Sequence, residues 1–155
     1  MASRTAKEWA ALEEATATNM NKMAGGWIGY SSNSSDQTGI TTATDLTSIT
    51  VDVTVNTSRL IRVDVIGRVI INTASANYVG RILRDGSNIG TWCEIENGAA
   101  TDAEMHPGWT YDLPSSGAHT YKANLARSSG TGTLDVEGTA PSNAKILVVD
   151  YGSTS

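Results

Sequence analysis

From residue 27 onward, apolar and polar positions alternate with a period of two. In residues 46–55, Ile49, Val51, Val53 and Val55 fall on one side and Thr50, Asp52 and Thr54 on the other, as in a half-buried strand. Residues 59–71 repeat the pattern, with Ile61, Val63, Val65, Val69 and Ile71 opposite Arg62, Asp64 and Arg68. Gly67 inside this run predicts a bend or bulge. Residues 77–85 and 89–96 flank Asp85-Gly86-Ser87-Asn88, a hairpin signal because Asp-Gly tolerates positive φ. Further strands are predicted at 27–30, 109–113, 119–127, 134–138 and 145–151. Polar turns rich in Gly, Ser or Pro separate them at 31–39, 114–118 and 128–132. Strands with short connections and no helices between them predict an all-β fold, an antiparallel β-sandwich that is jelly-roll-like.

The first 25 residues follow another rule. They are rich in Ala, Glu and Lys, which lose little on entering a helix. Trp9 and Leu12 fall on one stripe and Met20 and Met23 on another, while Thr16 and Thr18 can each cap a helix, so one long helix and two short ones both fit. Gly25-Gly26 ends the pattern. The organisation predicted is a helical attachment arm over 1–25 and a β-sandwich domain over 26–155. A segment this short is marginal alone in water and needs a surface to pack on.

Composition sharpens this picture. The 155 residues include 20 Thr, 16 Ser and 15 Gly but no Phe, which suits many short strands and turns. The formal net charge is −5, a poor match to nucleic acid, which selects concentrated basic surface. No apolar run approaches ~18 residues, and residues 1–4 lead into no apolar signal core; neither a membrane span nor a secretory signal is expected. The single cysteine, Cys93, allows no internal disulfide framework and no multi-cysteine zinc site.

Candidate chemistry is thin. His119 alternates with Tyr121, Ala123 and Leu125 and reads as a packed strand histidine, and no Gly-x-Ser-x-Gly elbow is present. Cys93, within Thr-Trp-Cys-Glu-Ile, reads as a buried thiol. Asp102, Glu104 and His106 alternate in a loop over 101–107 and could face a cation together, but a solvated acidic loop is favoured. Glu94 and Glu96 have the spacing of paired carboxylates, which amphipathic strands also show routinely. No enzyme activity, metal or cofactor is expected. Trp27, Trp92, Trp109 and Tyr111 are read mainly as core aromatics in a chain without Phe. The alternative is a sugar-stacking surface drawn from these four, with Trp92, Trp109 and Tyr111 as the candidate glycan contacts.

Three further stretches stand out: Trp9 with Ala15-Thr-Ala-Thr-Asn-Met-Asn21; Gly26-Trp-Ile-Gly-Tyr30 with Asp36-Gln-Thr-Gly-Ile-Thr-Thr42 and Asp45-Leu-Thr47; and Gly117-Ala-His-Thr-Tyr-Lys122 with Ser129-Gly-Thr-Gly-Thr133, Ala140-Pro141 and Ile146-Leu-Val-Val-Asp-Tyr-Gly152. Together they resemble small virion proteins of tailed phages, especially those of actinobacterial hosts. The resemblance runs along nearly the whole chain and carries no catalytic residues. It implies a structural protein on the virion surface, a capsid decoration or stabilising protein or a minor tail or fibre component. Viral jelly rolls supply the further analogy of a homotrimer, with a phage major capsid or tail protein as partner and neither nucleic acid nor membrane. Trp9, Leu12, Met20 and Met23 would form the attachment interface, each worth roughly 1.5–3 kcal/mol on burial before ordering costs. The alternative function is a receptor- or glycan-binding module of the phage tail.

Overall fold

The computed structural model describes residues 25–154. The predicted helical arm, with Trp9, Leu12, Met20 and Met23, lies outside the described residues. Among the described residues the chain is all β, with ten strands: β1 (Gly26–Ser32), β2 (Gln37–Ile40), β3 (Thr44–Val55), β4 (Arg59–Asn72), β5 (Ala76–Arg84), β6 (Ser87–Gly98), β7 (Ala103–Asp112), β8 (Gly117–Gly130), β9 (Thr133–Val136) and β10 (Lys145–Ser153).

These strands form two antiparallel sheets. One runs β1-β10-β4-β9-β2, with β7 on the other side of β4; the second runs β3-β8-β5-β6. Leaving aside the short β2 and β9, successive strands cross between the sheets at every connection except the β5–β6 hairpin. That is jelly-roll order.

The alternation read from the sequence supplies the core. Ile49, Val51, Val53 and Val55 of β3 face Ile61, Val63, Val65, Val69 and Ile71 of β4, all buried. With no Phe, Tyr78 and Tyr121 are the largest fully buried side chains. Each hydroxyl therefore needs a partner: Tyr78 lies 2.7 Å from His106 Nε2, and Tyr121 donates to Asp112 over 2.8 Å. The β5–β6 hairpin turns where expected, with Asp85 and Gly86 at φ 50° and 81°.

Three local expectations change. Residues 31–39 hold most of β2, which pairs with β9 at Gln37↔Val136 and Ile40↔Leu134. Strand β7 begins at Ala103, ahead of the Trp109 start predicted, because only alternate residues of this edge strand are apolar and those face outward. Gly67 makes no bulge against β7, whose register is unbroken from Ile61↔Asp112 to Ile70↔Ala103. A Cβ at Gly67 would sit 3.1 Å from Ala144 Cβ and 3.6 Å from the Trp92 ring, so a close approach explains the glycine. On the opposite edge, β4 changes partner around Gly67, from β10 at Ile66↔Lys145 to β9 at Val69↔Val136.

The sheets come nearest at β6 and β7. A Cβ on Gly108 would lie 2.2 Å from the Trp92 carbonyl oxygen and 2.3 Å from its Cα, contacts that backbone cannot relieve cheaply. Gly108→Ala is expected to cost about 1–3 kcal/mol, read as a lower denaturation midpoint in urea; an unchanged midpoint would show that the two strands can separate freely.

Candidate functional site

The outer face of the larger sheet is the distinctive surface. Its cross-strand rows follow from register. Tyr30 of β1 lies beside Leu147 of β10, then Asp64 of β4, then Trp109 of β7. In the next row Trp27 is followed by Val149, Arg62 and Tyr111. Each row carries an aromatic ring at both ends, an aliphatic side chain and a charge between them. A register shift between Trp27 and Gly29 lets both Trp27 and Tyr30 emerge from β1, and they are 77% and 56% exposed.

The rim on β7 is a connected aromatic cluster. Trp109 meets Tyr111 edge-on at 5.2 Å between centroids, and Tyr111 meets Tyr151 of β10 edge-on at 5.8 Å. Arg62 lies 5.0 Å from the Trp109 ring centroid, within cation–π range. Its guanidinium donates to Asp64 Oδ1 from Nε at 2.9 Å and Nη2 at 2.6 Å, and to the Tyr151 hydroxyl at 3.2 Å. Between the β1 and β7 rims lies an open groove of about 360 Å³, floored by Leu147, Asp64 and Arg62 and reaching Ile66, Pro107 and Lys145. Such a surface binds through apolar area and ring faces; it offers no nucleophile paired with a base.

The residues singled out from sequence are distributed differently from expectation. Trp92 alone of its group is in the core, 3% exposed, with Nε1 donating to the Asn124 carbonyl over 3.1 Å; it cannot join a surface sugar platform. Trp27, Trp109 and Tyr111, read mainly as core, are exposed. The two rows bring Trp109 and Tyr111 together with Trp27, and with Tyr30, Arg62 and Asp64, which the sequence pattern does not mark as a site; Tyr151 joins them through Tyr111. A signal existed: Met105, Pro107, Trp109, Tyr111 and Leu113 alternate with the small or polar His106, Gly108, Thr110 and Asp112. Alternation alone does not say which set faces inward.

Of the remaining candidates, Asp102 and His106 have structural partners. Asp102 accepts from the Ala99 backbone N–H at 2.6 Å, whereas His106 turns inward to Tyr78, with Trp92 edge-on at 6.5 Å. Glu104 is exposed, 3.8 Å from His106 at its nearest. Burial holds the His106 imidazole below its ordinary pKa, against the opposing pull of Glu104. Among the described residues, no group of three or more His, Cys, Asp or Glu is placed to hold a metal ion. Glu94 and Glu96 are exposed on β6. Cys93 is buried, which pushes its thiol well above the ordinary range. Because the thiolate is the reactive form, a disulfide reagent is expected to leave Cys93 unmodified in the native protein and to modify it fully in guanidinium chloride. Rapid native labelling, read by absorbance, would contradict this burial.

His119 does pack as a strand histidine, in a specific state. Nδ1 lies 2.7 Å from Asp85 Oδ2 and Nε2 2.8 Å from the Ser115 carbonyl oxygen. Both partners are acceptors, so both ring nitrogens donate in the imidazolium form. The Asp85 bond, then the Ser115 bond, raises the His119 pKa against the effect of burial. His119 and the Thr120 N–H together lower that of Asp85. The raised histidine contributes stability that is complete below its unfolded value near ~6.5 and is lost as pH rises through the folded value. The lowered carboxylate contributes stability present above ~3.9 and lost as pH falls through its folded value. The melting temperature is therefore expected to fall on the alkaline side of ~6.5, and His119→Gln to flatten that limb; an identical slope in the variant would refute the assignment.

No protein-family model matches the sequence, and no curated protein matches it. Among solved structures, similarity extends to an Eiger TNF from S. frugiperda at 9% identity and TM-score 0.48, covering 84% of this chain and 96% of that one. It extends also to infectious bursal disease virus, Gt strain, at 9% identity and TM-score 0.43, covering 84% and 39%. A third is the insecticidal delta-endotoxin Cry8Ea1 from Bacillus thuringiensis, at 12% identity and TM-score 0.42, covering 70% and 18%. The chain thus spans well under half of the viral and toxin chains. The jelly-roll assignment rests on this chain's own strand order.

Proposed function

We propose that this chain is a non-enzymatic structural protein on the exterior of a phage virion. It is a homotrimer that attaches through residues 1–25 to a major capsid or tail protein, as a capsid decoration or stabilising protein or as a minor tail or fibre component. The observation that carries a binding role is the asymmetry of the sandwich. One outer face bears the two aromatic rims, while the other bears Thr50, Asp52, Thr54, Lys122, Arg81 and Glu94. An extended apolar face of this kind marks an interaction surface. His119, Cys93 and Asp102 are meanwhile held by structural contacts. The virion assignment is supported by the resemblance carried by Trp9, Gly26–Tyr30 and Ile146–Gly152.

A second reading, a receptor- or glycan-binding module, is favoured by the open groove beside Trp109. Titration with host cell-wall glycans separates the two: a saturable change in tryptophan fluorescence, abolished by Trp109→Ala, would favour glycan binding.

Deleting residues 1–24 is expected to leave a soluble, cooperatively unfolding sandwich that no longer binds particles lacking the protein. Co-sedimentation with purified particles reads the outcome, and undiminished binding by the truncated chain would remove the attachment role of the arm.

A further inference from the structure

We propose that the outer face of the larger sheet is the contact between copies of this chain, with the β7 rim of one copy seated against the β1 rim of the next. This rests on the homo-oligomer reading above and gives it a surface. The eight exposed large hydrophobic residues found among the described residues are Trp27, Tyr30, Ile66, Met105, Trp109, Tyr111, Leu113 and Tyr151. All of them belong to β1, β4, β7 and β10, or to the residue directly after β7; the smaller sheet contributes none.

The area favours an interface over a chance patch. An aromatic side chain presents roughly 150–250 Å². Five of them, each about half exposed or more, offer on the order of 500 Å², and Ile66, Met105 and Leu113 extend it. That lies toward the upper end of the ~300–600 Å² of the largest patch on a typical monomer, patches that are often functional, and the extended area approaches the ~800 Å² that one partner gives to a standard protein–protein interface. Rigid Tyr and Trp anchors are also the side chains that dominate such contacts.

Charge points the same way. Arg62 and Asp64, in the middle of the face, already pair with each other, and Arg62 also engages Trp109 and the Tyr151 hydroxyl. Covering them leaves no lone charge to desolvate. Lys145 stands at the end of the groove, where it can remain in solvent. The two rims lie on opposite edges of one face and differ in sequence, so a contact joining unlike rims is head-to-tail. Such a contact closes into a ring when the rotation allows, which suits the proposed trimer.

The test uses the full chain at several concentrations, with native mass measurement and hydroxyl-radical footprinting read residue by residue. Wild type is expected to be oligomeric, with labelling of Trp27, Tyr30, Trp109 and Tyr111 suppressed several-fold relative to a dissociated variant. Trp109→Arg introduces a charge at the β7 rim. Leu113→Asp does the same beyond the strand, away from the Arg62 contact, and decides the matter if the first variant fails to fold. Either folded variant falling to single-chain mass supports the proposal. If the variants stay assembled, renewed labelling of Trp27 and Tyr30 supports it and unchanged protection overturns it. A wild-type oligomer whose aromatic face labels freely overturns the surface while leaving the homo-oligomer intact; a wild-type monomer overturns both. Protection that appears only on adding host glycans overturns it in favour of a sugar ligand.

Discussion

The approach of β7 to Trp92 governs the character of this molecule. Where Gly108 passes the Trp92 backbone there is no room for even a methyl group, so the inner side of β7 must be small or polar. Gly108, Thr110 and Asp112 meet that condition, and His106 does so by hydrogen bonding to Tyr78. The large residues of the same strand are thereby turned outward, where Trp109 and Tyr111 join Tyr151. The exposed rim is thus the far side of a tight inter-sheet contact. Dense packing within a jelly roll can turn a row of aromatic side chains outward without any loop being built for it.

Polar contacts then fix how the two sheets close and how strands register within each sheet. Asp112 on β7 accepts from Arg84 of β5 at 2.7 Å and from Tyr121 of β8 at 2.8 Å, linking the larger sheet to the smaller. Arg59 and Asp150 pair at 2.7 Å with side chains 5% and 13% exposed, tying the start of β4 to the end of β10. Removing one partner of such a pair strands a charge in poor solvent. These bonds therefore punish a slipped register more than they reward the correct one. His119, drawn to Asp85 and Ser115, does the same for the β5–β6 turn against β8.

Taken together, His119, Cys93, His106 and Asp102 are engaged in structural contacts, and the outer face of the larger sheet is largely apolar and aromatic. A mildly acidic, hydroxyl-rich exterior on the second sheet keeps that side compatible with solvent.

The sequence by itself determined the strands and the inner faces of β3 and β4. Alternation of Val and Ile with charged residues has only one buried solution, since an Arg or Asp row cannot line a core unpaired. It also determined the hairpin at Asp85-Gly86, where two adjacent residues must take positive φ. The face chosen by β7 was not legible, because both of its alternating sets could enter a core and the choice depends on how closely the preceding strand β6 brings the Trp92 backbone from the other sheet. The same holds for Gly67, whose meaning comes from Ala144 and Trp92. The rows joining Trp27 and Tyr30 to Tyr111 and Trp109 arise only when β1, β10, β4 and β7 assemble side by side. Local pattern sets which residues share a face of one strand; steric exclusion between strands of opposite sheets sets which of those faces meets water.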